Sequence, residues 1–242
     1  MLTPMPNAEG KHAASIAELY DEWHRPRALG PRPGAPWHRL AIPQLGDVRG
    51  LRVLEIGCGV GEFSRLLAER GACVIGADIS SVAVEETGRQ LEGYEGTEAI
   101  VADICAVPFR DESFDLVVSL ETIEHSPDPG KALAELVRVT RRGGRLIISN
   151  PNYLDFIGLY RLAKRISGRP FKEAGQPINK WTTLLGTIWR LKRLGCRIDF
   201  VDGTHFALPI PYWRSLDISW IDQAHMLAKW IAHHGLVVAS RR

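Results

Sequence analysis

Between residues 51 and 149, five short apolar runs (51–56, 73–77, 99–102, 116–120 and 145–149) alternate with helix-patterned segments. The helical segments fall at about 62–70, 81–91 and 129–140, and a connector carrying Pro108 follows the third run. Runs that are apolar throughout, without polar alternation, belong to strands buried on both faces. Strands of that kind separated by amphipathic helices predict an α/β fold with a parallel sheet covered on both sides. An all-helical bundle or an antiparallel sandwich would carry a different period.

The flanks are less regular. Ile16, Leu19, Tyr20 and Trp23 have helical spacing over about 12–24, and prolines and glycines from Pro26 to Pro36 then interrupt the chain. Beyond residue 150 the pattern predicts a basic amphipathic helix over 154–166 and a helix over 182–194 capped by Gly195. A strand over 197–201, a stretch containing Trp and Pro, a helix over 219–233 and a strand over 236–239 complete the chain. The expected organisation is an N-terminal helical segment and connector (1–49) and one main domain (50–242), with 153–195 and 204–233 as cap insertions.

Composition narrows the class. With 45% hydrophobic and 24% charged residues in 242, neither disorder nor a fibrous repeat is sensible. No apolar stretch reaches the roughly 18 residues of a membrane span, and residues 1–11 lack the features of a signal peptide, so a cytoplasmic protein is expected. Cys58, Cys73, Cys105 and Cys196 have no metal-ligand spacing and read as reduced. The net charge of +2 hides an asymmetry: residues 153–197 hold ten basic side chains and two acidic ones, +8, which leaves −6 for the rest.

The most informative words are Val53-Leu54-Glu55-Ile56-Gly57-Cys58-Gly59-Val60-Gly61, three glycines between a strand end and a helix start. Such a turn lets backbone approach a ligand closely and aims helix N–H groups at it. Asp78 ends the second run, where a carboxylate can accept hydrogen bonds from two ribose hydroxyls. Asp103 ends the third, placed to hold an exocyclic adenine amine. A dinucleotide site would place Gly-x-Gly-x-x-Gly around a pyrophosphate, but Gly59 and Gly61 are one residue apart and Glu55 would repel that anion.

This arrangement, with Asp103-Ile104 and the strand Phe114-Asp115-Leu116-Val117-Val118, resembles the class I S-adenosylmethionine-dependent methyltransferases over residues 50–150. The resemblance implies a Rossmann-like sheet of seven strands whose last strand is antiparallel, with helices on both faces. It implies S-adenosylmethionine as cofactor, with Glu55 beside the methionyl amine, Gly57, Cys58, Gly59 and Gly61 as the cofactor loop, Asp78 on the ribose, Asp103 on the adenine, and Ile79, Ile104 and Leu120 around it.

The word Glu121-Thr122-Ile123-Glu124-His125 opens after the fourth strand and resembles ubiquinone-biosynthesis O-methyltransferases and small-RNA 2′-O-methyltransferases. In those branches it implies a divalent cation, here Mg²⁺ held by Glu121, Glu124 and His125. The residues alone leave two other readings open, His125 as an acid or base without metal, and a structural turn. Unlike both branches, this chain has no histidine between His125 and His205. In-line methyl transfer mainly requires positioning, and a hydroxyl acceptor gains from losing its proton to His125.

The expected function is therefore methyl transfer to a hydroxyl of a small-molecule or lipid-linked acceptor, anionic in one reading of the basic insert. Peripheral membrane contact through residues 156–169 is a second reading of that insert. An RNA-terminal 2′-O-methyltransferase and a non-catalytic cofactor-binding module are the alternatives, nucleic acid being the weaker partner because Trp181, Trp189, Trp213 and Trp220 suit a cap core better than base stacking. Tyr20, Trp23 and Arg39 are expected to close over the cofactor.

Overall fold

The computed structural model describes residues 11–26, 35–168, 176–204, 207–208, 216–217, 230 and 232–242. Helix α1 (Lys11–His24) and α2 (Pro36–Ala41) precede an alternating series of strands and helices. That series runs β1 (Arg52–Ile56), α3 (Glu62–Glu69), β2 (Cys73–Asp78), α4 (Ser81–Gln90), β3 (Glu98–Val101), β4 (Phe114–Leu120), α5 (Pro129–Val139) and β5 (Thr140–Pro151). Helices α6 (Phe156–Ile166) and α7 (Leu184–Arg193) lead to β6 (Cys196–Thr204), a two-residue ribbon of β7 (Ala207–Leu208) and β8 (Leu216–Asp217), and finally β9 (His234–Arg241). The helix expected over 219–233 falls almost wholly outside the described residues, as do Trp213, Trp220, Arg169 and Lys172.

The main sheet has seven strands in the order β3-β2-β1-β4-β5-β9-β6. The pairs β1–β2, β2–β3, β1–β4 and β4–β5 are parallel, and β9 runs antiparallel to both β5 and β6. This is the expected mostly parallel sheet with a reversed last strand. Two apolar cores sandwich it. One joins Leu54, Ile56 and Val117 to Leu133 and Leu136 of α5 and Leu184 and Leu191 of α7. The other joins Val53, Val74 and Val118 to Phe63 and Leu67 of α3 and to Ala41 and Leu45 at the end of α2. Strands buried from both sides explain why their sequences are apolar without alternation.

Side-chain caps start α4 through α7: Ser80, Asp128, Asp155 and Thr183 each accept a first-turn N–H. Helix α3 differs, since its N-cap is Gly61 at φ 82° with no side-chain cap, so its first turn is left for a ligand. The sheet order reverses between β1 and β4, where an α/β sheet opens a crevice at its carboxyl edge.

Two elements depart from expectation. Residues 36–41 read as part of a broken connector, yet they form α2, because Pro36 occupies the first turn, where a missing N–H costs nothing. Strand β5 starts at Thr140 instead of 145, pairing Thr140 with Phe114 before a register shift that precedes Leu116. Among the described residues no helix is long and apolar enough to cross a membrane.

Candidate active site

The carboxyl ends of β1, β2, β3 and β4 open into a cavity of about 740 Å³. Nine of the ten residues expected around the cofactor line it: Glu55, Gly57, Cys58, Gly59, Asp78, Ile79, Asp103, Ile104 and Leu120. Gly61 does not. A Cβ there would come 2.8 Å from the Thr87 Cα, so this glycine lets α3 approach α4. Gly57 has the sharper requirement, with φ 78° and a Cβ position 2.2 Å from the Thr122 side chain.

Asp78 is buried, and its two carboxylate oxygens accept N–H groups from Gly59 and Ser80, each at 3.0 Å. Its carboxylate thus fixes the glycine loop as well as facing the cavity. Asp103 accepts the Cys105 N–H on Oδ1 at 2.7 Å and turns the chain after β3 in the same way. Cys58 is buried, and its thiol is pushed upward by burial and by the nearby carboxylates, which makes it an inert wall.

Glu55 is the electrostatic centre of the loop. It is fully buried, accepts a short hydrogen bond from the Ser64 hydroxyl, and burial pushes its carboxyl up to about 8. A cation arriving beside it favours the ionised form. The affinity for a cationic ligand beside it is therefore expected to rise with pH toward about 8. With its folded value raised above the unfolded one, the ligand-free chain has the Glu55 contribution to stability in full below about 4.5 and loses it as pH rises through about 8. Calorimetric titrations across that range, with Glu55→Gln expected to abolish the slope, check both statements.

The N-terminal segment forms the roof. Ile16, Tyr20, Trp23 and His24 of α1 line the cavity, as do Trp37 and His38 of α2. Asp21 holds α1 down by accepting from Ser80 Oγ at 2.6 Å, Ser81 Oγ at 3.0 Å and the Val82 N–H at 3.2 Å. Burial lowers His38 to about 4, so it stays neutral. Arg39 is a correction: it is exposed and does not line the cavity, because the turn of α2 presents Trp37 and His38 instead.

The expected cation ligands are corrected too. Glu121, Glu124 and His125 all line the cavity but do not converge, and no group of three or more His, Cys, Asp or Glu among the described residues suits a metal ion. Glu121 sits at φ 51° and sends Oε2 to Nδ1 of His234 at 2.8 Å. His125 places Nδ1 2.8 Å from the Ile178 carbonyl and Nε2 3.4 Å from Glu124 Oε1. The carboxylates are drawn to two different histidines, so this donor set does not fit Mg²⁺.

Sequence reasoning missed His233 and His234. They stand at the start of β9, and both line the cavity. His233 Nδ1 lies 2.7 Å from Oδ2 of Asp155, whose Oδ1 caps α6 at Gly158. Glu121 Oε1 is buried with no hydrogen-bond partner among the described residues, an acceptor turned to the cavity wall. The only signal was an unexplained His-His pair before an apolar run.

A methyltransferase-domain family model matches residues 54–148, the part that carries this loop and the strand ends. The chain is 30% identical over 195 residues to a demethylmenaquinone methyltransferase of Mycobacterium sp. (strain KMS), covering 75% of this chain and 82% of that protein. The chain belongs to the class I S-adenosylmethionine-dependent methyltransferases. It is 35% identical over 127 residues to the demethylmenaquinone methyltransferase of Renibacterium salmoninarum, 51% of this chain and 52% of that one, so it spans about half the length of that relative. A ubiquinone biosynthesis O-methyltransferase of Leptothrix cholodnii is 30% identical over 160 residues, 61% of this chain and 66% of that protein. Among solved structures, the magnesium protoporphyrin IX methyltransferase of Synechocystis PCC 6803 with bound SAH shares the fold, with a TM-score of 0.64, 18% identity, and coverage of 95% and 99%. The cavity's residues fit a methyl donor of this family: a positive-φ glycine loop, a buried carboxyl beside it, and carboxylates at the ends of β2 and β3.

Proposed function

We propose that this methyltransferase-family chain methylates a hydroxyl oxygen of a small-molecule or lipid-linked acceptor, with S-adenosylmethionine as donor. The quinones in the names of its relatives make reduced quinones the first acceptors to try. The observation that carries the reading is one cavity with Asp78 and Asp103 on one wall and two histidine–carboxylate pairs on another.

Asp78 would take the ribose hydroxyls, Asp103 the adenine amine and Glu55 the methionyl ammonium, with the Gly57–Cys58–Gly59 backbone against the donor. Bound there, the donor supplies a methyl carbon that the acceptor oxygen takes in line while the carbon–sulfur bonding pair returns to sulfur. The hydroxyl proton goes to an imidazole. Between the two candidates, His125 has both ring nitrogens facing acceptor oxygens, which locks the ring. His234 is held at Nδ1 by Glu121, which orients its ring as a carboxylate does for the histidine of a catalytic triad. His234 is therefore the proton acceptor in this reading, and His125 a positioning residue of the cavity wall.

The test is methyl transfer from radiolabelled S-adenosylmethionine to reduced quinones and simple phenols, with product ethers identified by mass spectrometry. Ether products support the reading. Transfer only to carbon or nitrogen, or to none of these acceptors, contradicts it.

A further inference from the structure

Helix α6 is turned inside out. Leu159, Leu162 and Ile166, spaced three and then four residues apart, form one stripe, and they are 61%, 43% and 80% exposed. Leu154, just before the helix, is 50% exposed. The cation that would ordinarily face water faces the protein instead: Arg161 donates to the Asn179 side chain at 3.0 Å and to its carbonyl at 2.9 Å, and lies 4.5 Å from the Tyr153 ring centre. A helix that presents its leucines outward and tucks an arginine inward is arranged for an apolar contact.

The charge around the stripe says what kind. The exposed Arg165 borders it, in a segment (153–197) whose net charge is +8, while Lys164 lies on the opposite side of the helix, 5.4 Å from the Tyr160 ring centre. The acidic Asp155 at the head of α6 is buried against His233 and gives no exposed counter-charge. An apolar stripe bordered by Arg165 within a strongly basic segment matches a bilayer with anionic headgroups, where leucines enter the acyl boundary and the guanidinium meets phosphates. The helix is also tied to the cavity, since Asp155 holds His233 of the cavity wall.

We propose that α6 is a membrane-docking helix that seats the chain on an anionic lipid surface beside its cavity. The proposal does not depend on which acceptor is methylated or on methyl transfer itself.

Co-sedimentation of the full chain with vesicles tests it, one set of phosphatidylcholine and one of equal parts phosphatidylcholine and phosphatidylglycerol. The expected result is binding to the anionic vesicles that weakens with salt and falls more than about tenfold in Leu159→Asp/Ile166→Asp and in Arg165→Glu. Both variants alter exposed or half-exposed positions, and an unchanged S-adenosylmethionine affinity or thermal melting curve shows that they remain folded. No vesicle binding by the wild-type chain overturns the proposal, as does equal binding by folded variants. Wild-type dimers that the leucine variant converts to monomers, or retention of RNA in place of vesicles, also overturn it.

Discussion

Asp78→Ala lowers the affinity for S-adenosylmethionine by at least about 100-fold while leaving the chain folded. A carboxylate that accepts two hydroxyl hydrogen bonds contributes on the order of 1.5–3 kcal/mol for each, and each 1.4 kcal/mol is roughly a factor of ten. The same side chain holds the Gly59 N–H at 3.0 Å, so its removal also loosens the loop that must lie against the donor. Calorimetric titration of the variant measures the loss, and circular dichroism with a thermal melt reports the fold. A change within about threefold would show that the carboxylate at the end of β2 does not face the ribose.

His234→Ala lowers kcat by about 10²–10⁴-fold with little change in the affinity for the methyl donor, the span usual for a lost general base. Glu121→Gln falls in the same direction, because an amide can hold the ring on the wrong tautomer and cannot balance the charge of an imidazolium. His125→Ala is expected to act mainly on KM, as the Nδ1 contact to Ile178 and the neighbouring Glu124 make it a fixed part of the wall. The split between kcat and KM separates the roles: the loss falls on kcat in His234→Ala and on KM in His125→Ala. Wild-type kcat in His234→Ala would return the proton to His125 or to no side chain at all.

What was legible in the sequence followed from local rules. The buried strands of the sheet announce themselves as unbroken apolar runs, and the glycine loop as a strand-to-helix turn, because each depends on residues close in the chain. Asp78 and Asp103 were legible for the same reason, since each simply ends a strand that could be placed. The histidine pairs were not. Glu121 and His234 are 113 residues apart, and Asp155 and His233 are 78 apart, so no spacing rule connects them. The left-handed backbone at Glu121, φ 51°, is also something no propensity of a glutamate would suggest. Likewise α2 was hidden, because Pro36 ends helices more visibly than it begins them.

The outward stripe of α6 shows the opposite case. Its amphipathic period was readable, but which face meets the protein depends on Asn179 and Tyr153 receiving Arg161, and those contacts exist only in three dimensions. Residues 205–206, 209–215 and 218–229, which carry much of the expected second cap insertion, lie outside the described residues.

The cavity at the carboxyl edge of β1, β2 and β4 is expected to take a sulfonium donor and neither a dinucleotide nor a divalent cation. Isothermal titration of S-adenosylmethionine and, separately, NAD into the wild-type chain, with and without Mg²⁺, tests it most directly. The expected result is saturable S-adenosylmethionine binding that strengthens toward pH 8, is unchanged by Mg²⁺, and has no NAD counterpart. Saturable NAD binding, or the absence of S-adenosylmethionine binding at any pH in that range, would contradict it.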